Sequence, residues 1–203
     1  MLLSLVFLLF GFSFVAHLEF ARNLLGLLFV VTPLAGVYAV SDNRRQMIVA
    51  TIFAAPALVS IIGHFFLDLS LINDTWYLAL IVVYYGFTTQ AVIRHLFKKQ
   101  EVDTDTILSA ASAYLMIGLT FAVVYMLLET AHTGSFVVNN VTDHAWDEFF
   151  YFSMVTLTTL GYGDIAPATP HARSVATLEA TTGVLYMAVL LARLVSEYSS
   201  KKK

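Results

Sequence analysis

Six apolar stretches, each poor in Lys, Arg, Asp and Glu, recur along this chain at roughly Met1 to Ala16, Leu24 to Val40, Gln46 to Leu67, Thr75 to Ile93, Thr106 to Leu128 and Ala172 to Val195. A bilayer core of about 30 Å takes about 20 such residues as a helix. Lipid offers no partner to a backbone N–H or C=O, so these stretches can cross it only as helices, whose bonds close within each segment. The expected fold class is an all-α membrane protein with six transmembrane helices. Composition points the same way, since 59% of the 203 residues are hydrophobic and only 12% charged, against about 25% charged in a soluble domain. A net charge of −3 supplies no basic field, so no nucleic-acid partner is expected, and the absence of cysteine excludes disulfides and thiolate chemistry.

The first stretch, about 16 residues, falls short of the hydrocarbon thickness unless flanking residues join it. It reads either as a retained span or as a signal peptide. No basic residue precedes it and no A-x-A pattern stands near Ala16, which argues for retention. Lys and Arg set the orientation. Arg44 and Arg45 follow the second stretch, Arg94, Lys98 and Lys99 the fourth, and Lys201, Lys202 and Lys203 the sixth, all on one side. The opposite loops carry Arg22 and Arg173 among many acids. A cell-membrane protein with both termini cytoplasmic follows, its basic C-terminal run able to contact membrane lipids.

Between the fifth and sixth stretches lie about 43 residues, Glu129 to His171, with an apolar piece of their own. Trp146 to Leu157 is too short to cross. Thr142 and Asp143 before it suit an N-cap, and Asp147 and Glu148 suit a first turn. The reading is a re-entrant half-helix that starts outside and stops within the membrane.

Directly after it comes Thr156-Leu157-Thr158-Thr159-Leu160-Gly161-Tyr162-Gly163-Asp164. A cation leaving water needs oxygens in place of its hydration shell, and a narrow ring of backbone carbonyls supplies them. Aiming successive carbonyls at one axis needs φ > 0 at intervals, which Gly161 and Gly163 permit. This T-x-G-Y-G-D pattern, sharp over Phe149 to Pro167, resembles the selectivity filter of the tetrameric potassium channels. The resemblance implies a homotetramer that conducts K+ passively, with K+ ions in the filter held by the carbonyls of Thr159, Leu160, Gly161 and Tyr162 and by the Thr159 hydroxyl. It also implies that Gly163 and Asp164 shape the outer mouth, that the Leu160 side chain packs behind the filter, and that the Tyr162 ring wedges against Tyr151 and Phe152, which stand where many members carry tryptophans. Residues 1–105 would form a peripheral four-helix bundle and 106–203 the pore domain.

A steep voltage sensor needs several arginines in one span, because each charge is worth about 2.3 kcal/mol per 100 mV. Thr75 to Ile93 has none, so weak voltage dependence is expected. Gly183 occupies the place of an inner-helix hinge, or serves close helix contact. Tyr186, Met187, Leu190 and Leu194 fall at helical spacing and either line a hydrophobic constriction or face lipid. Glu179, an acid inside an apolar stretch, either titrates with gating or bonds half-helix hydroxyls such as Thr156 or Thr158. His132, His144 and His171 show no metal-ligand spacing, and no nucleophile–base pattern suggests an enzyme. A nonselective cation pore is disfavoured by Tyr162, since members that lose selectivity usually lose that aromatic.

Overall fold

The computed structural model describes residues 1–7, 74–98, 103–138 and 145–200, with isolated positions between 29 and 56. Most of the second and third apolar stretches, and residues 8–16 of the first, therefore lie outside the described residues, as do Thr142, Asp143, His144 and Lys201 to Lys203. The elements in chain order are α1 (Leu2–Val6), α2 (Asp74–Lys98), α3 (Thr104–Ala131), β1 (Phe136–Val138), α4 (Ala145–Leu157), β2 (Ile165–Pro167) and α5 (Pro170–Ser200). Three of the described helices are long and apolar enough to cross a membrane: Thr75–Lys98, Thr104–Ala131 and Pro170–Glu197.

Local signals account for the helix ends. Asp103 caps α3, its Oδ1 accepting the Thr106 amide at 2.8 Å while the Thr106 hydroxyl accepts the Asp103 amide, a reciprocal pair that satisfies two donors of the first turn. Pro170 opens α5, where a missing N–H costs nothing, and the Thr169 hydroxyl accepts the Ala172 amide at 3.3 Å. Asp147 and Glu148 occupy the first turn of α4 and complement its positive end.

α3 is the central helix. Its buried face is rich in small residues, Ala110, Ala113, Gly118 and Ala122, which allow close approach by neighbours. α2 lies along it, joined by Thr89, whose hydroxyl is 3.0 Å from that of Thr120. Tyr85 of α2 donates to the Phe29 carbonyl, and the rings of these two residues sit 4.6 Å apart.

The connection between α3 and α5 adds something the all-α expectation lacked. β1 and β2 pair antiparallel, with Phe136 opposite Pro167 and Val138 opposite Ile165. The Glu129 carboxylate prepares the turn into β1 by accepting the amides of Gly134 (2.8 Å) and Phe136 (3.1 Å). Phe136 is then buried against Tyr125, Phe149 and Phe152, with ring centroids 5.1 to 5.5 Å apart. Two three-residue strands are too short to announce themselves by periodicity; burial of Phe136 and Ile165 holds them in place.

α5 buries one narrow stripe: Ala172, Ala176, Glu179, Gly183, Tyr186 and, partly, Leu190. The spacing of three and four is that of a single helix face. From its N-terminal to its C-terminal end this stripe meets α4, then α3, then α2, where Arg193 donates to the Leu96 carbonyl and lies 5.6 Å over the Phe97 ring. Leu178, Val184, Leu185, Val189 and Leu191, on the other faces, are exposed in the single chain.

Candidate functional site

α4 ends at Leu157, and the next seven residues carry the conformational signature the glycine spacing anticipates. Thr159 has φ 59°, Gly161 62° and Gly163 80°, every second residue in the left-handed region. For the two glycines this is free of a Cβ clash; the β-branched Thr159 adopts it at a cost. No peptide in the described residues is cis.

The amides of this segment turn back to the helix that precedes it. Thr159 N–H donates to Thr156 O, while Leu160 N–H and Gly161 N–H both donate to Val155 O, at 2.9 and 3.3 Å. In a trans peptide the N–H and C=O point in opposite directions. The carbonyls of Thr159 and Leu160 are therefore turned away from the end of α4. Two adjacent oxygens facing one way beside the C-terminal, negative pole of a helix would favour a cation over an anion.

At the outer end Tyr151 donates to Asp164 Oδ2 at 2.7 Å, and its ring stacks on Tyr162 at 6.5 Å and 5°. This bond holds the Asp164 carboxyl below its ordinary range, and in return the Tyr151 hydroxyl is pushed up to about 12. Phe152 does not share the expected role beside Tyr162. It points the other way on the helix, buried against Tyr125 with ring centroids 4.9 Å apart, so among the described residues the ring stacked on Tyr162 is that of Tyr151. The Leu160 side chain is also not packed behind the segment: it is 55% exposed, as is 66% of Tyr162. Among the described residues nothing covers that face.

The inner end of α4 is held by α3 and α5. Tyr114 donates to the Leu157 carbonyl at 3.0 Å. Gly183 lies against the same carbonyl, so closely that a Cβ on it would stand 2.3 Å from the oxygen. Of the two uses open to this glycine, close contact is the one visible in the packing. Glu179, four residues earlier, is fully buried and meets the hydroxyls of Tyr125 and Ser153, in place of the expected Thr156 or Thr158.

Tyr186, Met187, Leu190 and Leu194 do line a common space, but within one chain. It is an apolar cavity of about 490 Å³ between α1, α3 and α5, and Tyr186 anchors its wall by donating to the Ala110 carbonyl at 2.7 Å. Tyr186 and Leu190 thus turn toward α3, while Met187 remains exposed in the single chain. Arg193, which joins α5 to α2, is a side chain that sequence reasoning missed; an arginine two residues before the end of an apolar run was the available signal. Among the described residues no group of three or more His, Asp or Glu stands ready to hold a metal ion.

Residues 112–200 match the family model described as "Ion channel". The chain is 35% identical over 96 residues to Two-pore potassium channel 4 of Arabidopsis thaliana, covering 47% of this chain and 32% of that protein. It is 37% identical over 84 residues to Two pore potassium channel c of Oryza sativa subsp. japonica, 41% of this chain and 17% of that one. It is 36% identical over 80 residues to Inward rectifier potassium channel Kirbac3.1 of Paramagnetospirillum magnetotacticum, 37% of this chain and 24% of that one. The chain thus spans a third or less of the length of these relatives. No solved structure matches it.

Proposed function

We propose, from the premise that the C-terminal module of this chain belongs to the potassium channel family, that the protein is a subunit of a potassium-selective channel which conducts K+ passively and performs no covalent chemistry. The observation that carries this is the filter-like segment: left-handed residues at 159, 161 and 163, with the Thr159 and Leu160 carbonyls turned away from the end of a half-helix. K+ would be held by the carbonyls of Thr159, Leu160, Gly161 and Tyr162 together with the Thr159 hydroxyl, with Gly163, Asp164 and Tyr151 supporting the outer end.

One chain supplies one such turn, and a ring of oxygens around an ion needs several. A homotetramer meets that need. Its support is the surface a single chain leaves open, which includes the filter turn itself and most of α5. Residues 1–105 act in this proposal as a peripheral bundle of four spans, with the pore module over 106–203 and both termini on the cytoplasmic side. Uncharged residues from Thr75 to Ile93 support weak voltage dependence.

The test is flux from liposomes containing purified protein, with reversal potentials in mixed K+ and Na+ and barium as blocker. A reversal potential that follows the K+ gradient supports the proposal. Equal permeation of both ions, or no flux, ends it, and chemical cross-linking that stops at a species other than four copies ends the tetramer.

A further inference from the structure

Glu179 is fully buried at the point where α3, α4 and α5 meet. Tyr125 of α3 donates to its Oε2, and Ser153 of α4 lies 2.5 Å from its Oε1. The Ser153 hydroxyl is also 2.7 Å from the Gly118 carbonyl of α3. A serine hydroxyl has one proton. If both the carboxyl and the carbonyl are pure acceptors, one of these two short contacts has no hydrogen in it and brings two oxygens together unshielded. If Glu179 carries its own proton, the count closes: Oε1–H donates to Ser153, Ser153 donates to the Gly118 carbonyl, and Tyr125 donates to Oε2. Among the described residues no cation is bonded to the carboxyl, and an ionised carboxylate in a core needs one.

We propose that Glu179 is a positioning residue in its neutral form, a hydrogen-bonding strut that ties the half-helix α4 to α3 and α5 and so fixes the height of the filter turn. Ser153 and Leu157 are four apart on α4 and thus on one face. The first is held by Glu179 and Gly118, the second by Tyr114. Val155 lies between them and carries the amides of Leu160 and Gly161, so a displacement of this half-helix displaces the two carbonyls beyond it. The strut matters to conduction only on the reading that the chain forms a K+ pore.

Two measurements test it in the full-length protein. Infrared spectra of wild type and Glu179→Gln should differ by the carbonyl stretch of a protonated carboxyl; a carboxylate band in its place overturns the proposal, whether or not the protein conducts. In single-channel records Glu179→Gln, whose amide donates to Ser153 and accepts from Tyr125, keeps wild-type burst lengths. Glu179→Leu, which strands both hydroxyls, shortens bursts about tenfold, as expected when a buried polar group loses its partner. Glutamine as damaging as leucine, or leucine equal to wild type, overturns the strut. Should the leucine variant fail to assemble, Tyr125→Phe removes one hydroxyl at constant shape and shortens bursts about threefold; unchanged bursts there overturn it as well. A wild type that shows the protonated band and no K+ flux sinks the channel and leaves the strut standing.

Discussion

Gly183 of α5 and the Leu157 carbonyl at the end of α4 are in backbone contact, with room for a hydrogen atom and not for a methyl group. The Cβ of an alanine would stand 2.3 Å from that oxygen and 3.0 Å from a Leu157 methyl. The obstacle is backbone, already held by the Tyr114 hydroxyl, so it cannot swing aside as a side chain would. Gly183→Ala should therefore push α4 and α5 apart, at a cost of about 1–3 kcal/mol typical of overpacking. Thermal unfolding of the assembled protein reads the loss, and K+ flux should fall with it. A variant of wild-type stability would mean that the two helices do not approach this closely.

Gly86 and Gly161 make a contrast. A Cβ on either meets nothing within 4 Å among the described residues, so space does not distinguish them. Conformation does. Gly86 is within helix α2, where alanine is favoured over glycine by up to about 1 kcal/mol, whereas Gly161 has φ 62° and alanine there costs roughly 1–2 kcal/mol. Gly86→Ala should leave flux and selectivity intact and raise stability slightly. Gly161→Ala should abolish K+ selectivity, measured as the K+ to Na+ reversal potential; a selective Gly161→Ala channel would remove the left-handed turn from the mechanism.

How much of this was legible beforehand follows from the range over which each interaction acts. The alternation at 161 and 163 is a property of single residues, so glycine spacing announced it, and Asp147 and Glu148 marked the start of α4 for the same local reason. Glu179 was visible as an anomaly because an acid in an apolar run is improbable. Its partners were not visible, since Ser153 is 26 residues away and Tyr125 54, and nothing in the spacing chooses them over Thr156. Phe152 was assigned to the filter by its place in a motif, but one residue along a helix is a rotation of about 100°, enough to take it to the core while Tyr151 stays at the turn.

The Tyr151–Asp164 bond sets a pH window. Asp164 has a depressed affinity for protons, so its contribution is present above its ordinary value of 3.8 and is lost as pH falls through the lower, folded value. Tyr151 is the opposite case: its contribution is complete below the ordinary 10.0 and is lost as pH rises through about 12. Between roughly pH 5 and 9 the bond is intact and external pH should leave the outer end of the turn unchanged. Tyr151→Phe deletes the main cause of the depression. Carboxyl titration by NMR should then show Asp164 moving up toward its ordinary value, and an unmoved midpoint would show that the hydroxyl does not reach the carboxylate in solution.

At the other end of α5, Arg193 binds the C-terminal turn of α2. Leu96 lies in the last described turn of that helix, and a cation donating to its carbonyl also meets the negative pole of the helix. The flat guanidinium also covers the Phe97 ring, which an ammonium group would do less well. Arg193→Ala should cost about 1–3 kcal/mol, the range for a hydrogen bond to a charged group, and Arg193→Lys should recover only part of it. Phe97→Leu probes the ring separately. If guanidinium and ring act together, the double variant should be less destabilised than the sum of the singles by about 0.5–1 kcal/mol in thermal or denaturant unfolding. Strict additivity would show that the guanidinium–ring contact and the carbonyl bond act independently.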